Sequence, residues 1–173
     1  MTKVAVIGNA GGGKSAMARA LAAAHDLPYV AIDKLQWRPG WTPTPQDEFI
    51  QLHDEILAQE AWVIDGFGPW DTIEQRFDQA DTLILVDHPL WVHFWWAAER
   101  QIACVTEERP DGPVGCPMLP MTEALFKMIW DIHHEARPRL LEMIERRRAE
   151  KTVFHIQSPA ELDRFVTDYC QEA

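Results

Sequence analysis

The chain is poor in positive charge. Its 173 residues carry 16 Lys and Arg against 27 Asp and Glu, a formal net charge of −11. Binding to long stretches of DNA or RNA needs clustered basic residues to neutralise phosphates, so no extended nucleic acid is expected as a partner. Long apolar runs are missing too. None approaches the ~20 residues of a membrane span, and no membrane role is expected. Cysteine is scarce: Cys104, Cys116 and Cys170 are widely spaced and odd in number. That argues against a disulfide scaffold and for a reducing, cytoplasmic setting. No C-x-x-C pair accompanies His133 and His134, and neighbours on a helix point in different directions, so no metal site is expected there. No signal-peptide pattern precedes the first apolar run. Internal repeats and low-complexity tracts are lacking. What the chain has is apolar mass, 47% of its residues, ample for the core of a single domain over 1–173. Its eight tryptophans are many for this length. Some are expected in the core and others along a ligand site. A monomer or a homodimer is expected.

The stretch from Lys3 to Ala24 organises the rest. Val4-Ala5-Val6-Ile7 reads as a buried strand. Gly8-Asn9-Ala10-Gly11-Gly12-Gly13-Lys14-Ser15 follows and meets every fixed position of the phosphate-binding pattern G-x-x-x-x-G-K-[ST]. Ala16 to Ala24 then reads as helix. Glycines allow the tight turn and a close ligand approach. Successive N–H groups form an anion nest, reinforced by the helix N-terminus. Residues Gly8 to Ala16 are therefore the expected binding segment for ATP. Lys14 is expected on the β- and γ-phosphates, and Ser15 on Mg²⁺.

Four more strands are expected. Leu27 to Asp33 ends in a carboxylate, and Asp33 lies where functional groups gather in parallel sheets. It is expected to orient or deprotonate an acceptor or to hold a metal-bound water; a cap or turn role is the plainer option. Lys34 to Pro45, with its prolines and tryptophans, reads as an ordered irregular loop, and Thr44 as the N-cap of a helix bearing Phe49, Leu52, Ile56 and Leu57. Ala61 to Gly66 is a strand ending in Asp65, the usual shape of the element that holds Mg²⁺ opposite a phosphate loop. Asp81 to Asp87 is the next, with Asp87 a weaker metal candidate. The tryptophans Trp91, Trp95 and Trp96 recur at helical spacing, a pattern more often core than site. Thr106 to Pro120 is a long Pro- and Gly-rich loop, expected as a mobile lid within 104–138. A helix over Met121 to Glu150 must kink or divide near Ala136, before Pro138. Lys151 to Gln157 is the fifth strand, and Ser158 to Glu161 a capping box.

These residues resemble the adenylate-kinase-like P-loop kinases. Within that group the chain is similar to small bacterial proteins labelled FlaR-related or DNA topology modulation proteins. The resemblance runs over nearly the whole chain, through GNAGGGKS, IDKLQWRPGW, WVIDG, ADTLILVDHPLW and EARPR. It implies a three-layer α/β fold of the P-loop NTPase type, with a five-stranded parallel sheet in order 2-3-1-4-5, an acceptor region over 34–60 and a helical lid. It supports Asp65 as holder of a Mg²⁺-bound water. It implies that Arg100, and with them Arg137 and Arg139, neutralise the transferring phosphoryl group. Two arginines usual in adenylate kinases are here Trp70 and Trp96, which suggests a less anionic acceptor near Trp37, Trp41 and Trp70. The expected activity is ATP-dependent phosphoryl transfer to a nucleotide, nucleoside or polar metabolite. The alternative is a nucleotide-binding or hydrolysing module that acts on a protein partner.

Overall fold

A computed structural model describes residues 1–106 and 112–170. Strand β1 (Lys3–Gly8) runs through the middle of its sheet. Val4, Ala5, Val6 and Ile7 are all at most 1% exposed. An uninterrupted apolar run suits this place, because helices cover both faces of a parallel sheet. Helix α1 (Lys14–Ala24) leads to β2 (Tyr29–Ala31), then α2 (Ile32–Gln36) and a small hairpin, β3 (Trp37–Arg38) with β4 (Thr42–Pro43). Helix α3 (Gln46–Leu57) precedes β5 (Trp62–Asp65), and α4 (Trp70–Gln79) precedes β6 (Thr82–Val86). Helices α5 (Leu90–Ala103), α6 (Thr122–Asp131) and α7 (Arg137–Glu145) follow, then β7 (Thr152–Ile156) and α8 (Pro159–Tyr169).

The large sheet has the order β2-β5-β1-β6-β7, with every pair parallel. Counting only those five strands along the chain, the order is 2-3-1-4-5, as expected. On one face α1 and α8 pack Met17, Leu21, Leu162 and Phe165 against Val4, Val6 and Val63. On the other, α3, α4 and α7 pack Phe49, Leu57, Ile73, Phe77 and Met143 against Ala5, Ile7 and Ile64. A third cluster joins α5 to α6 through Ala97, Leu125 and Ile129, with Phe94 stacked on Phe126 at 5.5 Å. Among the described residues no helix is long and apolar enough to cross a membrane.

Several local expectations are corrected. The second strand stops at Ala31, and Asp33 lies in the first turn of α2, where a carboxylate favours the helix dipole. The segment 34–45 is not wholly irregular, since it supplies α2 and the hairpin. Thr44 does not cap α3: that helix has no side-chain cap, and the Thr44 N–H instead donates to Gln36 O at 2.9 Å. The helix over 121–150 is divided where Pro138 demands it, by a π-helical turn at Ile132–Ala136. The capping box holds in part. Ser158 Oγ accepts from Glu161 N at 3.2 Å, while Glu161 Oε2 accepts from Gln157 N, one residue earlier than the cap. Of the expected lid, residues 107–111 lie outside the described residues; from 119 to 138 the chain is helical.

Candidate active site

The phosphate loop joins β1 to α1. Gly8 has φ +143°, and a Cβ there would sit 2.1 Å from Val86 O on β6. At Gly11, φ is +68° and a Cβ would meet His93 O at 2.4 Å. Only glycine fits either place. Helix α1 begins at Lys14 with no acidic residue in its first turn, so its N-terminal N–H groups and positive dipole end face the cup. Lys14 Nζ donates to Asn9 O at 2.6 Å, across the mouth of the loop.

Contacts from α5 and α6 brace the loop from beneath. The Asn9 side chain is buried; its Nδ2 donates to Ile129 O on α6 at 2.8 Å and its Oδ1 accepts from Ala10 N at 2.8 Å. The Asn9 side chain is thus a brace beneath the loop. Its neighbours from Ala10 to Ala16 line the cavity above the loop, but Asn9 is turned away from it. His93, 1% exposed, places Nδ1 2.9 Å from Ala10 O. Burial, then the nearby Lys14 charge, lowers its pKa to about 4, so it is neutral at pH 7.

Strand register supplies the opposite wall. Val6 of β1 pairs with Asp65 at the end of β5, and Asp65 pairs with Ala31 of β2. Ser15 Oγ donates to Asp65 Oδ2 at 2.6 Å, and Tyr29 OH approaches the same oxygen at 3.4 Å. Burial and the negative charge of Asp65 both push the Tyr29 pKa up. A hydroxyl and a carboxylate side by side at a helix N-terminus are hard oxygen donors. Among the described residues no cluster of three or more His, Cys, Asp or Glu side chains surrounds them. The pair therefore fits an ion that keeps most of its ligands as water and phosphate oxygens, as Mg²⁺ does, and not an all-protein cage.

Behind Asp65 lies a residue that the sequence reading passed over. Arg76 on α4 is 1% exposed. Its Nη1 donates to Gly66 O at 2.8 Å, its Nη2 to Phe67 O, and its Nε to Thr72 O at 3.2 Å. Burial lowers its pKa to about 10, opposed by Asp65, so it stays charged at pH 7. It clamps the turn that carries Asp65. The signal was present: Ile73, Arg76 and Phe77 share helical spacing and hence one face.

The loop opens into a cavity of about 650 Å³. Asp33, Gln36, Trp37 and Trp41 line one side, and Asp65 to Gly68 the floor. Trp96 and Arg100 come from α5 and Cys104 from its C-cap, and Met118, Met121, Leu125 and Met128 form an apolar wall. Trp37 and Trp41 meet edge to face, 5.8 Å apart. The structure thus gathers Lys14, Ser15, Asp33, Asp65 and Arg100 around one space.

Arg137 and Arg139 are not among its lining residues. Arg137 grips Asp87 through Nε (2.5 Å) and Nη2 (2.9 Å), and His155 Nε2 lies 2.9 Å from the same carboxylate. Asp87 is thereby committed to an ion pair and not offered to a metal. Arg139 sits 4.0 Å over the Trp70 ring, and Trp70 packs on Phe67 outside the cavity. Of the tryptophan stripe only Trp96 turns inward. Trp91 and Trp95 are 68% and 61% exposed, contrary to a core role, because α5 buries its Val92–His93–Ala97 face instead.

The chain matches no protein-family model and no curated protein. Solved structures do resemble it. A gluconokinase from Sinorhizobium meliloti 1021 superposes with a TM-score of 0.53 at 17% identity, over 98% of this chain and 89% of that one. A sugar kinase from Janibacter sp. HTCC2649 gives 0.50 at 12% identity, over 96% and 94%. At such identities the likeness shows the fold alone, a five-stranded parallel sheet between layers of helices, and the chemistry must be argued from the site.

Proposed function

We propose that this chain is a P-loop kinase that transfers the γ-phosphoryl group of ATP to a hydroxyl of a small-molecule acceptor. One observation carries the reading. The cup formed by Gly8 to Ser15 and the Ser15–Asp65 pair open onto the same cavity as Asp33, Trp37 and Trp41. A nucleotide switch needs the first half of that arrangement only. That both similar structures are kinases supports the same reading.

The residues divide the work. Backbone N–H groups of the loop and the α1 N-terminus bind the phosphates, with Lys14 exchanging Asn9 O for phosphate oxygens. Ser15 and Asp65 would hold Mg²⁺, which supplies charge neutralisation across the β- and γ-phosphates when bound. Arg76 keeps the Asp65 turn in place. Asp33 accepts the acceptor's hydroxyl proton as the new O–P bond forms and the bond to the β-phosphate oxygen breaks. Arg100, one turn along α5 from the Trp96 beside the loop, neutralises charge on the moving group, an effect worth about 10³-fold or more where an arginine does this. Neither Arg137 nor Arg139 takes part. The two indoles and the methionine wall favour a ring-bearing acceptor over a small polyanion, since apolar walls do not repay the desolvation of a charge. Nucleosides fit this description best.

The test is to follow ADP formation from ATP·Mg²⁺ against a panel of nucleosides, nucleoside monophosphates, sugars and sugar acids, with mass spectrometry of the products. Acceptor-dependent ADP and a phosphorylated acceptor are expected. Steady hydrolysis that no acceptor alters would overturn the kinase reading in favour of a module acting on a protein partner.

A further inference from the structure

The outer face of α5 takes no part in the site. Trp91 and Trp95 are 68% and 61% exposed, Ile102 is 72% exposed, and Val105, just past the helix cap, 63%. At 3.6 residues per turn, positions 91, 95 and 102 fall within about 40° of arc, so they form one straight stripe. Among the described residues Glu99 lies beside it, and its Oε1 accepts the Trp95 Nε1 proton at 2.8 Å. The indole's polar edge is thus satisfied within the helix, which leaves an apolar ridge.

We infer that this ridge is the two-fold contact of a homodimer, with α5 packed antiparallel on α5 of a second copy. Area is the first reason. With an indole side chain of about 250 Å², the two tryptophans offer roughly 300 Å² of open surface, and the four residues on the order of 500 Å². Two such ridges face to face remove about 1,000 Å² from water, the size that a specific interface must reach. An isologated pair of ridges is also self-complementary: each copy gives the other the same apolar strip. Charge is the second reason. A net charge of −11 repels anionic lipid, so a membrane surface is the poorer occupant. The inference is independent of the proposed activity, because it uses no residue of the cavity. It has a consequence for it, since α5 also carries Trp96 and Ala97 to the phosphate loop and Arg100 to the cavity.

Sedimentation velocity of the whole chain over a concentration series tests this. The wild type should sediment as a dimer at tens of micromolar. The double variant Trp91→Glu/Trp95→Glu should sediment as a monomer with unchanged circular dichroism, and Trp91→Ala/Trp95→Ala should weaken association at least tenfold. A wild type that stays monomeric at several hundred micromolar overturns the inference. So does a folded double-Glu variant that remains dimeric, or flotation of monomeric wild type with vesicles of mixed neutral and anionic lipid.

Discussion

Replacing Arg76 by Met keeps most of the aliphatic stem and removes the guanidinium, so the cost measures hydrogen bonds and charge and not a cavity. Arg76 satisfies the carbonyls of Gly66 and Phe67, both in the turn after β5. A buried carbonyl left without a donor costs about 1–3 kcal/mol. Asp65, 4% exposed, would also lose its nearby counter-charge; stranding a buried charge costs about 3–5 kcal/mol when the pair is intimate, and less here, where the two are coupled at longer range. Relaxation of the turn returns part of each term. The expected loss is about 3–5 kcal/mol, a large part of the ~5–15 kcal/mol typical of a domain. At ~2–4 °C per kcal/mol for a chain of this size, the melting temperature should fall by about 6–20 °C. Urea denaturation of wild type, Arg76→Met, Asp65→Asn and the double variant forms a cycle. With Asp65 neutralised, losing Arg76 should cost at least about 1 kcal/mol less. If Arg76→Met costs under about 1 kcal/mol, or the two substitutions are additive, Arg76 does not clamp the Asp65 turn and the reasoning fails.

Three further outcomes are expected. Gly11→Ala and Gly40→Ala both force alanine to positive φ, but the first also drives Cβ to 2.4 Å from His93 O while the second meets nothing within 4 Å; chemical denaturation should find Gly11→Ala worse by about 1–3 kcal/mol. His53 and His93 are buried and neutral, with burial lowering both pKa values to about 4. The unfolded chain, with His near 6.5, binds protons in that window and the folded chain does not, so stability should fall as pH drops from about 6.5 through about 4. A stability profile flat over that range would contradict their burial. Arg137→Met should lower stability by about 1–3 kcal/mol, because Asp87 is left with His155 as its partner, while turnover per folded molecule stays within about threefold; a hundredfold loss of turnover would restore Arg137 to the catalytic group.

The phosphate loop was legible because its backbone admits little but glycine, and Gly8 and Gly11 carry that constraint in the sequence itself. Asp65 was legible as the polar end of an apolar strand, and the parallel sheet from strands alternating with helices, whereas the order of its strands came from the resemblance to P-loop kinases. Other features depend on contacts distant in sequence. That the Asn9 side chain braces the loop was not legible, because its partner, Ile129, lies 120 residues away. Arg137 looked free to reach a phosphate, yet Asp87 holds it across a separation of 50 residues. The tryptophan stripe had the spacing of a core face, and spacing alone does not say which side of α5 the sheet and α6 cover. Arg76 was overlooked because a lone arginine on an amphipathic helix is ordinarily solvated, and the carbonyls of Gly66, Phe67 and Thr72 make its burial tolerable.

The central claim is that the cup from Gly8 to Ser15 holds the triphosphate while Ser15 and Asp65 hold its metal. Calorimetric titration of ATP, with and without Mg²⁺, into wild type, Lys14→Ala and Asp65→Ala tests it most directly. Wild type should bind ATP at least tenfold more tightly with Mg²⁺ than without; Lys14→Ala should lose affinity in both conditions, and Asp65→Ala should lose the Mg²⁺ enhancement alone. Equal affinity of all three proteins for ATP·Mg²⁺ would contradict the account.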